Sequence, residues 1–98
     1  MRILLACGAG LSTSVLMKKL QKWCDANGEK LTISAMATTS IGETWKDYDC
    51  ILVGPQVSYR LPDLKREVGI PVEGIPSLDY AVGNAENIMK LAHKITGI

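Results

Sequence analysis

Two short, uninterrupted apolar runs, Ile3-Leu4-Leu5-Ala6 and Cys50-Ile51-Leu52-Val53, set the tightest limit on what this chain can fold into. A run with no polar residue on either face suits a strand buried on both sides, the signature of a parallel sheet covered above and below by helices. Both runs stop at glycine, the first at Cys7-Gly8 and the second at Gly54-Pro55. The length of 98 residues suffices for one core and not for two, so residues 1–98 read as a single domain.

Segments of helical spacing alternate with these runs. Residues 13–26 carry Leu16, Leu20 and Trp23 on one stripe, with Met17 and Cys24 beside it, and Asn27-Gly28 stops the helix. Residues 31–37 alternate Leu31, Ile33 and Ala35 with Thr32, Ser34 and Met36, which predicts a less buried strand near the sheet edge. A loop at 38–42 follows, with one helical turn toward Trp45.

After the strand at 50–53, a helix over 56–68 keeps Val57, Leu61, Leu64 and Val68 in line. Pro62 makes its opening irregular or delays the regular helix to Leu61. A short strand at 72–75 precedes a last helix at 79–95, with Ala85, Ile88, Ala92 and Ile95 at core spacing and Ser77 or Asp79 as its cap. The result is an α/β fold of four βα units: an open, parallel, four-stranded sheet with helices on both faces. Strand order 2-1-3-4 is expected, since it puts the Cys7 strand in the interior.

In such a sheet the ligand site lies beyond the carboxyl ends of the strands. That rule gathers the loop after Cys7 with residues 38–41, the Gly54-Pro55-Gln56 turn and the segment Pro76-Ser77-Leu78-Asp79-Tyr80. Cys7 is the chemical centre of this group. The glycines of Gly8-Ala9-Gly10-Leu11-Ser12-Thr13-Ser14 let peptide N–H groups turn inward, and the following helix adds the positive end of its dipole. An anion cradle with a thiol in its floor suggests phosphoryl chemistry, because the thiolate is the reactive nucleophile and a helix N-terminus favours it.

Other functions are excluded on composition. Formal charge is +1 with no run of like charges, so neither nucleic acid nor an anionic membrane is an expected partner. No apolar stretch approaches the roughly 20 residues needed to span a bilayer, and Met1-Arg2 leads into the first strand without a signal-peptide pattern, so a cytoplasmic location is expected. Cys7, Cys24 and Cys50 are an odd, widely spaced set that suits neither a disulfide framework nor a metal knuckle, and no metal or cofactor is expected. Cys24 and Cys50 read as packing residues, and His93 as a complement to the dipole of the last helix.

The loop departs from three known phosphate-binding patterns. Thr13 stands at the third glycine of a dinucleotide fingerprint, and Thr38-Thr39 where its ribose-binding acid would follow; no Gly-Lys-Ser/Thr completes a nucleotide P-loop. The chain resembles the low-molecular-weight tyrosine phosphatases and their arsenate reductase relatives in its cysteine loop after the first strand, but Thr13 occupies their arginine position. That substitution removes the bidentate cation that would stabilise a phosphoryl transition state. Asp79-Tyr80 is similar to their general-acid loop, without its proline, and capping is the expected role of Asp79.

A more specific resemblance covers nearly the whole chain. Residues Leu4-Leu5-Ala6-Cys7-Gly8-Ala9-Gly10-Leu11-Ser12-Thr13-Ser14, the segment Leu52-Val53-Gly54-Pro55-Gln56-Val57-Ser58-Tyr59-Arg60-Leu61-Pro62 and the segment Ile75-Pro76-Ser77-Leu78-Asp79-Tyr80 resemble, in order, three motifs of the enzyme IIB component of the bacterial sugar phosphotransferase system, lactose, cellobiose and diacetylchitobiose class. The resemblance implies a phosphocarrier: Cys7 takes a phosphoryl group from a phosphohistidine of a IIA partner and yields it to a sugar, a β-linked disaccharide, bound by the IIC permease. It implies phosphate binding by Gly8, Ala9, Gly10, Leu11, Ser12, Thr13 and Ser14, with Gln56, Tyr59 and Tyr80 as accessory or partner contacts, and a monomer when isolated. A loop without arginine suits a carrier, whose intermediate must survive the exchange of partners. A cysteine phosphatase and a non-catalytic regulatory module remain as alternatives; the first would turn over aryl phosphates, and the second would bind its partner equally well after Cys7→Ala.

Overall fold

The first apolar run becomes the strand β1, Arg2–Cys7, in which every residue after Arg2 is buried. The structure is a computed structural model that describes residues 1–7 and 11–98, residues 11–13 by their backbone alone. Strands β2 (Thr32–Ala37), β3 (Cys50–Val53) and β4 (Val72–Gly74) join β1 in one parallel sheet of order β2-β1-β3-β4. The Cys7 strand is interior, as expected. Ile3 to Ala6 pair with Cys50 to Val53 on one side, and Arg2 to Cys7 with Thr32 to Ala37 on the other. Edge strand β2 is only partly buried, which accounts for its alternating sequence.

Strand periodicity divides the core into two layers. On one face Ile3, Leu5, Cys50 and Leu52 meet Leu16, Leu20 and Cys24 of α1 (Leu11–Ala26) and Ile88, Met89 and Ala92 of α4 (Ala85–Thr96). Trp23 and Met17 pack against this layer, while the opposite layer joins Leu4, Ala6, Ile51 and Val53 to Ile41, Val57, Leu64 and Val68. Trp45 sits against that second layer.

Three features differ from the sequence expectation, while the start of regular α2 at Leu61 meets it. Helix α1 begins at Leu11, two residues earlier than its apolar stripe indicated, so residues 11–14 form its first turn. Between β2 and β3 there are two short 3₁₀ turns, Thr38–Ser40 and Thr44–Asp47, in place of one. Regular α2, Leu61–Glu67, starts at Leu61 after a 3₁₀ segment, Pro55–Arg60, that is kinked at Val57. Proline explains the start, since at the second helical position its missing N–H costs no hydrogen bond.

The expected last helix is two helices. α3 (Ser77–Val82) ends at Gly83, whose left-handed backbone (φ 65, ψ 45) lets the chain turn, and Asn84 caps α4 by accepting from the Asn87 N–H at 3.2 Å. Asp79 is therefore not the cap of this helix. Its carboxylate accepts from the Asn87 side-chain amide at 3.1 Å, holding the two helices across the turn. Lys19 of α1 lies over Gly83 and donates to the Val82 carbonyl at 3.3 Å. A Cβ on Gly83 would come within 2.5 Å of Lys19 Cδ. Gly83→Ala is expected to cost about 1–2 kcal/mol through the left-handed backbone, read as a lower urea midpoint with an unchanged slope.

At the opposite end of the sheet, His93 joins Glu29 through Nε2 at 2.7 Å and the Ile98 carbonyl through Nδ1 at 3.0 Å. It ties the chain terminus to the turn after α1, a more definite role than complementing a dipole.

Candidate functional site

The carboxyl edge of the sheet is where the loops converge, and Cys7 is the last residue of β1 there. Leu5 faces the α1 and α4 layer, so Cys7, two residues on, projects to the same side. Its thiol is nearly withdrawn from solvent, at 7 % exposure, and Sγ donates to the Met36 carbonyl of β2 at 3.9 Å. Only three residues, 8–10, separate it from α1.

Gly8, Ala9 and Gly10 lie outside the described residues. Leu11, Ser12, Thr13 and Ser14 belong to the first turn of α1, and Ser14 is exposed. This turn supplies peptide N–H groups with no partner inside the helix, and no carboxylate in it offsets their partial positive charge. Donors able to hold an anion are therefore present in a helical turn.

Gln56 and Tyr80 share one groove. Together with Val15, Leu16 and Lys19 of α1, and Ala81 and Gly83, they line a groove of about 460 Å³. Tyr80 packs its ring against the core layer that Cys7 faces. Tyr59 does not join this lining; it stands 75 % exposed on the 3₁₀ segment after β3. Val15, Lys19 and Gly83 were not indicated as site residues by the sequence. Val15 carried a signal nonetheless, being an apolar residue off the buried stripe of its helix, and it is exposed together with Leu78 and Val82 of α3.

The other two thiols are structural. Cys24 and Cys50 are fully buried, and burial, followed by nearby carboxylates, raises the pKa of each, that of Cys50 to about 12 with Asp49 as the neighbour. Because the folded value lies above the ordinary 9.0, the unfolded chain releases this proton first as pH rises. The contribution of Cys50 to stability is complete below pH 9 and is lost between 9 and about 12. Urea midpoints measured across that range are expected to fall less steeply in Cys50→Ala than in the unsubstituted protein.

Among the described residues, no helix is long and apolar enough to cross a membrane. Comparison with known proteins agrees with this architecture. The family described as "PTS system, Lactose/Cellobiose specific IIB subunit" matches residues 2–91. The oligo-beta-mannoside-specific EIIB component of Bacillus subtilis (strain 168) is 32% identical, covering 93% of this chain and 91% of its own length. The cellobiose-specific EIIB component of Lactococcus lactis subsp. lactis (strain IL1403) is also 32% identical, over 95% of this chain and 94% of its own.

Among solved structures, that of the cellobiose-specific phosphotransferase IIB component from Borrelia burgdorferi superposes with a TM-score of 0.83 at 36% identity, covering 99% of this chain and 92% of that one. The lactose-specific IIB domain of Streptococcus pneumoniae shares the fold, with a TM-score of 0.80 at 14% identity over 92% of this chain and 95% of that one. Sheet order, matched length and identity converge: the chain belongs to the lactose/cellobiose-specific IIB family of the sugar phosphotransferase system, whose members act as phosphotransferases alongside IIA and IIC components.

Proposed function

We propose that the chain carries a phosphoryl group on Cys7 between two protein partners. The observation that supports this best is the placement of the thiol at the carboxyl end of an interior strand, with only three residues between it and the start of α1. In the first transfer the Cys7 thiolate attacks the phosphorus of a IIA phosphohistidine. The S–P bond forms as the N–P bond breaks, and the departing imidazole takes a proton from water. In the second, a hydroxyl of a sugar held by IIC attacks. The S–P bond then breaks, Cys7 leaves as thiolate, and the hydroxyl proton passes to solvent.

Peptide N–H groups of residues 8–14 hold the phosphoryl oxygens between these events. With Thr13 where related phosphatases carry arginine, the loop lacks a cation to drive attack by water. The names of the relatives, cellobiose and oligo-beta-mannoside, support a β-linked saccharide as the acceptor. In this reading the chain works as a cytoplasmic monomer, sugar choice resides in IIC, and IIA and IIC use the Cys7 edge in turn.

The test is a reconstituted relay with phosphorylated IIA, followed by intact mass and peptide mapping. One phosphoryl group on the peptide containing Cys7, released by iodine as expected of a sulfur–phosphorus bond, is the expected result. Robust phosphorylation elsewhere with Cys7 unmodified would sink the reading, and sustained release of phosphate from aryl esters would favour a phosphatase.

A further inference from the structure

Gly54 has no conformational reason to be glycine. Its backbone is extended, at φ −67 and ψ 152, a region open to any L-residue. What a side chain there would meet is more informative: a Cβ on Gly54 would lie 3.0 Å from Gln56 Oε1, 3.5 Å from Tyr80 Cε2 and 3.7 Å from the Ala6 carbonyl oxygen. The Gly54 N–H donates to that carbonyl at 3.0 Å, which fastens the end of β3 to β1 one residue before Cys7. The missing side chain makes room for an amide and a ring drawn against the strand that bears the thiol.

Among the described side chains, cationic donors at this edge are few. No lysine or arginine occurs between Cys7 and Lys18. Among the side chains of the groove, Lys19 is engaged by the Val82 carbonyl, Tyr80 has one hydroxyl, and Gln56 has two amide hydrogens. The first turn of α1 offers its N–H groups, and Gln56 follows β3, whose Val53 pairs with Ala6, the residue before Cys7. A neutral amide can hold a phosphoryl oxygen without the full positive charge that would also stabilise attack by water.

Resting on the reading of Cys7 as the phosphoryl carrier, we infer that Gln56 is the side chain that donates to the phosphoryl group on Cys7, and that Gly54 is glycine so that this amide can lie there. Gln56 is exposed, so its replacement leaves the core intact. Gln56→Ala is expected to slow phosphoryl transfer from phosphorylated IIA about tenfold and to shift the ³¹P resonance of the phosphocysteine, with an unchanged thermal midpoint. Gln56→Glu, equal in size but anionic, slows it further. Gly54→Ala, which pushes the amide aside, slows transfer in the parent protein and adds nothing in a Gln56→Ala background.

Wild-type rates and an unmoved ³¹P resonance in both Gln56 variants would overturn the assignment of Gln56. A Gly54→Ala effect that persists undiminished without Gln56 would overturn the link between the two residues. Failure of the unsubstituted protein to form phosphocysteine would instead overturn the reading of Cys7, so the two claims fail separately.

Discussion

Replacing Cys7 with serine is expected to abolish phosphoryl acceptance from IIA, by at least about a thousandfold, while leaving the fold in place. The two side chains differ by one atom, and the pairing of β1 with its neighbours is made by backbone that the exchange does not touch. Serine is far less ionised than a thiol, and it gains no histidine partner here: His93, the single histidine, is bound to Glu29 and the Ile98 carbonyl at the other end of the strands, and the Asp79 carboxylate is engaged by Asn87. Stability is expected to change by no more than about 1 kcal/mol. Intact mass after incubation with phosphorylated IIA reads the first effect and urea unfolding the second. A serine variant that still accepts the group at a comparable rate would remove Cys7 from the chemistry.

Leu52→Ala is the opposite kind of change, with a large cost to the fold and no direct contact with the reacting group. Leu52 is fully buried in interior strand β3, pairing with Leu5 on one side and Glu73 on the other, in the layer shared with α1 and α4. Removing three carbons from such a site costs about 2–5 kcal/mol, because the cavity left behind closes only partly. A domain of this size holds about 5–15 kcal/mol in all, so the urea midpoint should drop by a large fraction of its value. Unaltered unfolding would mean that the two layers are not packed as described. Below the unfolding transition, phosphorylation of Cys7 in this variant should still reach completion, which separates loss of fold from loss of chemistry.

Much of the architecture was legible because burial on both faces of a strand demands an unbroken apolar run. Residues 50–53 match β3 at both ends, and the alternation at 31–37 marked β2 as an edge strand. The order of strands followed from the same reasoning, since a thiol meant for a loop crevice belongs on an interior strand. Helix ends were less legible. The apolar stripe of α1 begins at Leu16 and is silent about residues 11 and 12, which belong to its first turn. The regular spacing of Ala85, Ile88 and Ala92 carries no trace of the break at Gly83, where the left-handed backbone ends α3. The role of Asp79 was out of reach, for its bond to Asn87 exists only because the chain turns between them.

The site divides in the same way. Cys7, the helix after it and the absence of arginine at Thr13 are local facts, set by neighbouring residues and readable from the sequence by itself. That Gln56 and Tyr80 close on one point beside Ala6, while Tyr59 stays outside, was decided by tertiary structure alone. Gln56 and Tyr80 follow different strands, β3 and β4, and Tyr59 shares the segment of Gln56. Which side chains meet there depends on strand register and on the kink at Val57, neither of which any local pattern encodes.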